Sequence, residues 1–155
     1  MNPQMSGYKE RGRRHARKYD PLGTVSFGVF IVVLAIIWFN NPDLPNQFIS
    51  YFKSFEVYGR PVAPPAQILY YAATFSLYYG VWLIVLGALR ISLKIGVWNT
   101  PSNIAEGVFL IVLHYYILDS IRTGADFLTL VAFFIVGLGV AIIAGAIGKT
   151  MMRQY

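Results

Sequence analysis

Apolar positions in this chain come in four long runs, residues 21–39, 66–89, 104–121 and 127–147, broken by short polar stretches. At ~1.5 Å per residue, a helix of each length reaches across a hydrocarbon core of ~30 Å. The pattern predicts an all-α fold, a polytopic membrane protein with four transmembrane helices. Between the first two runs the period changes. Leu44, Phe48, Phe52 and Phe55 recur at helical spacing and share one face, whereas Asn46, Gln47, Ser50 and Lys53 tend to the other. That predicts a short amphipathic helix, suited either to lying on the outer membrane surface or to packing on the bundle; period alone does not separate the two. Residues 57–65 carry Gly59, Pro61, Pro64 and Pro65 and are expected to be extended or turn-like.

Local signals place the helix ends. Asp20-Pro21 opens the first helix, with Asp as cap and Pro at the first helical position, and Asn40-Asn41-Pro42 closes it. The second run is expected to continue toward Trp98 as a surface segment through Arg90 and Lys94. Asn99-Thr100-Pro101 starts the third helix, with Thr100 as cap. Only residues 122–126 separate the third and fourth runs, so those helices should be antiparallel neighbours, with Asp126 capping the fourth.

Charge then orients the array. With the N-terminus in the cytoplasm, ten Lys and Arg fall inside (Lys9, Arg11, Arg13, Arg14, Arg17, Lys18, Arg90, Lys94, Lys149, Arg153) and three outside (Lys53, Arg60, Arg122). This is the bias of the positive-inside rule, and it predicts both termini inside, with residues 41–65 outside. The chain divides into a basic cytoplasmic tail, 1–19, and a four-helix transmembrane domain, 20–155. The first run is too long for a signal-peptide core and is read as a retained anchor of a multi-pass cell-membrane protein. The net charge of +6 reflects these flanks, which disfavours nucleic acid as a partner. The tail residues Arg11, Arg13, Arg14, Arg17 and Lys18 suit a topology anchor on anionic lipid.

Candidate chemistry is sparse. The absence of cysteine removes disulfides, thiolate metal sites and cysteine nucleophiles. His15 and His114 are far apart in the chain, so no metal site is expected, and no motif calls for a cofactor. No catalytic pattern is present, and an enzyme is not expected. Glu106, His114 and Asp119 lie in the third run, where ionisable groups are costly and mark function by default. On a helix, Glu106 and His114 are ~80° apart, and Asp119 points ~140° from each, so they form no single stripe. Glu106 sits near a helix start, with Arg90 and Lys94 as available partners; Asp119 can pair with Arg122. His114 is expected near the midplane, either as a neutral imidazole bonded to a tyrosine or as a proton, ion or ligand site. Tyr78 and Tyr79 are deep enough to need hydroxyl partners and are expected to face protein.

Small residues recur at i+4 steps as Ala72, Ser76 and Gly80 in the second run and as Gly137, Ala141 and Gly145 in the fourth. Such stripes let helices approach closely in lipid, and the fourth run is expected to make the closest helix contact.

The opening Tyr19-Asp20-Pro21-Leu22-Gly23-Thr24, with the Phe-rich outer helix and Pro-rich loop of residues 48–65, resembles small four-span archaeal membrane proteins of no assigned activity. The resemblance implies four helices and transfers no functional residue. By elimination, the expected function is non-enzymatic: an accessory subunit or homo-oligomeric scaffold in the lipid bilayer, partnered by itself or by another membrane subunit. The alternative is a small oligomeric channel or transporter for ions or protons, with His114, Glu106, Tyr78 and Tyr79 as its polar lining.

Overall fold

A computed structural model describes residues 21–58 and 63–152, without the side chains of 55–58. The basic tail with Arg11, Arg13, Arg14, Arg17 and Lys18, the Asp20 cap, the Phe55 side chain and the middle of the 57–65 turn lie outside the described residues.

Five α-helices follow in order: α1 (Pro21–Asn40), α2 (Leu44–Tyr58), α3 (Ala66–Leu93), α4 (Thr100–Thr123) and α5 (Phe127–Met152). A single 3-10 turn, Val97–Asn99, precedes α4. There is no strand among the described residues. The helical segments containing the four long runs remain apolar and long enough to cross a membrane. Several run past the apolar stretch that announced them, because backbone hydrogen bonding continues through polar flanks until a residue stops it.

At the end of α1 that residue is Pro42, which cannot donate to the helix. The chain turns there through Asn41, whose N–H donates to the Trp38 carbonyl at 2.9 Å. α3 stops earlier than the expected extension to Trp98. Lys94 adopts a left-handed conformation (φ 54°), and its N–H and that of Ile95 close back onto the last turn of the helix. At α4 the expected cap is displaced by one residue. Asn99 occupies the cap position in a helical conformation, and Thr100 is already within the helix and fully buried. The 3-10 turn feeds directly into α4, so no extended residue is present to cap it. Between α4 and α5, Gly124 supplies the left-handed turn (φ 69°), and the Asp126 carbonyl accepts from the N–H groups of Thr129 and Leu130.

The spans pack in sequence: α1 on α3, α3 on α4, α4 on α5. No substantial packing joins α1 to α5 among the described residues, so the four form a row rather than a closed ring. The most extensive interface is α3 with α4. On α3 the seam is a seven-residue repeat, Ala73, Gly80 and Gly87, interleaved with Ser76, Leu83 and Arg90, all buried. Heptad spacing keeps one narrow stripe against a neighbouring helix. Two members of the expected second-run stripe, Ser76 and Gly80, belong to this seam. Ala72 is exposed, and Ala73 takes its place.

The fourth-run stripe also packs, with a different standing from the one expected. Gly137 lies against the Phe109 ring, Gly145 against Ser102 and Gly148 against Pro101, and Ala141 is buried beside them. This stripe therefore joins α5 to α4 within the chain. The broadest helix contact is α3–α4, where two glycines meet backbone to backbone. One core cluster links the three helices through Ala73, Phe109, Leu113, Ile117 and Ala141.

Candidate functional site

Helix α2 is oriented opposite to the arrangement in which an amphipathic helix packs its apolar face on a bundle. Its Phe48, Ile49 and Phe52 point away from the protein, with 39%, 52% and 59% of their surfaces exposed. Its other face carries Asn46, Gln47, Ser50, Tyr51 and Ser54, and this face lines a recess of about 550 Å³ together with Asp43, Ala63, Pro65 and Gln67. The recess thus lies between α2 and the start of α3. Of the two settings foreseen for the aromatic face, Phe52 is not buried against the bundle and Phe48 is only partly covered by it.

Hydrogen bonds order the border of this recess. Gln67 Nε2 donates to the Tyr71 hydroxyl at 3.2 Å, and that hydroxyl donates to Asn41 Oδ1. The chain of bonds ties the end of α1 to the start of α3. Ser54 Oγ donates to the Tyr51 carbonyl at 2.6 Å. Burial pushes the Tyr51 hydroxyl above its ordinary value. Gln47 Oε1 is buried with no hydrogen-bond partner among the described residues. The sequence signal for this site was present, since Asn46, Gln47 and Ser50 share a face. A polar face on an amphipathic helix ordinarily meets solvent, so the pattern by itself did not mark it as a site.

The candidate residues of the spans go to four separate places. His114 Nδ1 lies 2.9 Å from the Ala73 carbonyl of α3. A carbonyl only accepts, so Nδ1 carries the proton and donates it. The expected tyrosine partner is thus replaced by backbone, because the small Ala73 leaves the carbonyl of α3 open to a side chain on α4. Tyr115 meets the imidazole edge-on at 5.0 Å.

Glu106 is half-buried and feels the charge of Lys149 on α5. Arg90, one of the cations expected near it, is instead buried at the end of α3, where its Nη1 donates to the Gly96 carbonyl at 3.3 Å and braces the turn into α4. Asp119 and Arg122 are both exposed at the other end of α4.

The two deep tyrosines diverge. Tyr79 packs with Phe30 and Phe75, ring centroids 5.5 Å from each, and its hydroxyl lies 3.4 Å from Ser26 Oγ. Trp82 Nε1 donates to the same Ser26 oxygen at 3.3 Å, so one buried serine on α1 serves two aromatic side chains of α3. Tyr78 faces outward instead. It is 53% exposed and borders a small recess with Asn40, Asn41, Tyr70, Tyr71 and Thr74. Adjacent residues on a helix point ~100° apart, so only one of the pair can meet α1.

A second, wholly different cavity runs between α4 and α5. It has a volume of about 400 Å³ and is lined by Ala105, Val108, Phe109, Val112, Phe133, Gly137, Val140, Ala141 and Ala144, every one apolar. No group of three or more His, Cys, Asp or Glu able to hold a metal ion occurs among the described residues. No protein-family model, curated protein or solved structure matches the chain.

Proposed function

We propose that this protein is a non-enzymatic integral membrane subunit that assembles with copies of itself along α5, with both termini in the cytoplasm and α2 outside. The observation that supports this reading is the open edge of the row. Of the 26 residues of α5, only Ala141 and Gly145 are buried. Val136, Val140 and Ile143 are 60% exposed or more, and the apolar groove beside them is bounded by small residues. In lipid, helices associate through shape rather than water exclusion, and a groove floored by Gly and Ala accepts a ridge from a neighbouring helix. Homo-oligomers are the commonest assemblies.

The polar groups of the spans favour the same reading. A pore or carrier lined by His114, Glu106, Tyr78 and Tyr79 requires them on one axis. Here His114 is bonded to α3, Tyr79 to α1 and Tyr78 faces outward, while Glu106 is only partly buried on α4.

The absence of native cysteine makes the test clean. Val140→Cys in the purified protein should form a disulfide-linked dimer in a bilayer, whereas Ile31→Cys on α1 should not. Liposome flux of protons and monovalent ions should be absent. A monomeric mass in mild detergent with no crosslink at position 140 would overturn self-assembly. Flux abolished by His114→Gln would overturn the scaffold in favour of transport.

A further inference from the structure

The recess beneath α2 has the chemistry of a binding site rather than of a packing gap. Its volume, about 550 Å³, falls within the ~300–1,000 Å³ of small-molecule sites. Hydrogen-bonding side chains line it: the amides of Asn46, Gln47 and Gln67 and the hydroxyls of Ser50, Tyr51 and Ser54. No Lys or Arg is among the described lining residues, and none of these neutralises a phosphate or carboxylate. The one carboxylate among the described lining residues, Asp43, is exposed, which is too weak a counter-charge to define a cation site.

Amides and hydroxyls share one property, that each both donates and accepts. A ligand made of hydroxyl groups has the same double character and can satisfy all of them at once. Gln47 Oε1, buried and unpartnered among the described residues, is an acceptor in need of a donor. Gln67 keeps its Oε1 after donating through Nε2 to Tyr71.

Position narrows the source. The back of α2 presents Phe48, Ile49 and Phe52 away from the protein, as an interfacial helix presents its apolar face to acyl chains. A recess on the opposite face then sits at headgroup level. From this geometry we infer that the recess binds a neutral polyhydroxylated group, a glycosyl or polyol moiety, carried on a lipid or free.

The test uses the full chain purified in a detergent without a sugar headgroup and placed in nanodiscs of phosphatidylcholine. Monoglucosyl diacylglycerol and phosphatidylserine, whose headgroup has no hydroxyl, are added in equal amounts, and lipid retained on the protein is read by native mass spectrometry. Retention of the glucosyl lipid should exceed that of phosphatidylserine about tenfold. Gln47→Leu and Gln67→Leu should each erase the preference while helical content and mass stay unchanged. Free glucose and glycerol form the second arm. Competition by either at millimolar concentration identifies a free polyol as an admissible ligand; competition by neither assigns the site to a lipid headgroup. Equal retention of both lipids, retention of neither with no effect of the free polyols, or a preference that survives both leucine variants would overturn the inference.

Discussion

Gly80 of α3 and Gly107 of α4 face each other so closely that a Cβ on Gly80 would stand 2.9 Å from the Gly107 carbonyl oxygen, and one on Gly107 would stand 2.7 Å from that of Gly80. The neighbours that would have to give include backbone atoms, among them the Ile84 amide nitrogen at 3.2 Å from the Gly107 position, besides the side chains of Ile84 and Leu110. Contacts this short allow Cα–H groups to meet carbonyls across the interface. They also explain why the α3–α4 seam is the broadest in the molecule.

Gly107→Ala is expected to destabilise the fold by about 1–3 kcal/mol, the range for overpacking a closed contact. Gly28→Ala, where nothing lies within 4 Å of the added carbon, serves as the control and should be close to neutral. Reversible unfolding in mixed micelles measures both. Equal stability of the two variants would mean that the Gly80–Gly107 approach does not hold the helices together.

On α5 the glycines divide by face. A Cβ at Gly145 would meet Ser102 Oγ at 2.7 Å and its Cα at 3.0 Å, whereas Gly139 has nothing within 4 Å. Gly145→Leu should therefore disrupt the α4–α5 contact and lower the yield of folded protein. Gly139→Leu should leave the monomer intact. Limited proteolysis of the 124–126 turn distinguishes them, with faster cleavage expected only for Gly145→Leu.

His114 links two spans through one bond to a backbone carbonyl. Bonds of this kind between membrane helices contribute about 0.6 kcal/mol and up to about 1.7. His114→Gln keeps a donor on a side chain of similar reach and should retain most of that stability, while His114→Leu should lose it. The measurement is the unfolding free energy of each variant in the same micelle; a Gln variant as unstable as the Leu variant would remove the bond from the account.

Topology is open to a direct chemical check. Cysteines replacing Ser6 and Ser54 should label from opposite sides of an intact membrane with an impermeant reagent, residue 54 from outside. Labelling of both from one side would contradict the ten-to-three charge distribution as the orienting influence.

What the sequence by itself determined was local. The four spans, the short α4–α5 turn and the helicity of residues 44–55 follow from runs of apolar side chains and from Pro and Gly at particular places, and a helix satisfies its own backbone wherever it sits. The Gly137, Ala141 and Gly145 stripe was legible as well, because a row of small residues on one helix marks a place of close approach. That α4 is its neighbour followed from the short turn, but which residues of α4 meet the stripe was not legible. Helices apolar nearly all round carry no direction toward a partner, so the heptad of Ala73, Gly80 and Gly87 emerged only when α4 lay against it. The same holds for Arg90, a flanking cation in the sequence and a buried brace for Gly96 in the structure. It holds for His114, whose partner is a carbonyl that no side-chain pattern announces. For α2 the sequence supplied two faces and the tertiary structure chose between them. On the polar face Gln47, Tyr51 and Ser54 are partly covered over a recess whose border carries the hydrogen-bonded Asn41, Tyr71 and Gln67, while Phe48 and Phe52 stay exposed, since an apolar face needs no hydrogen bonds.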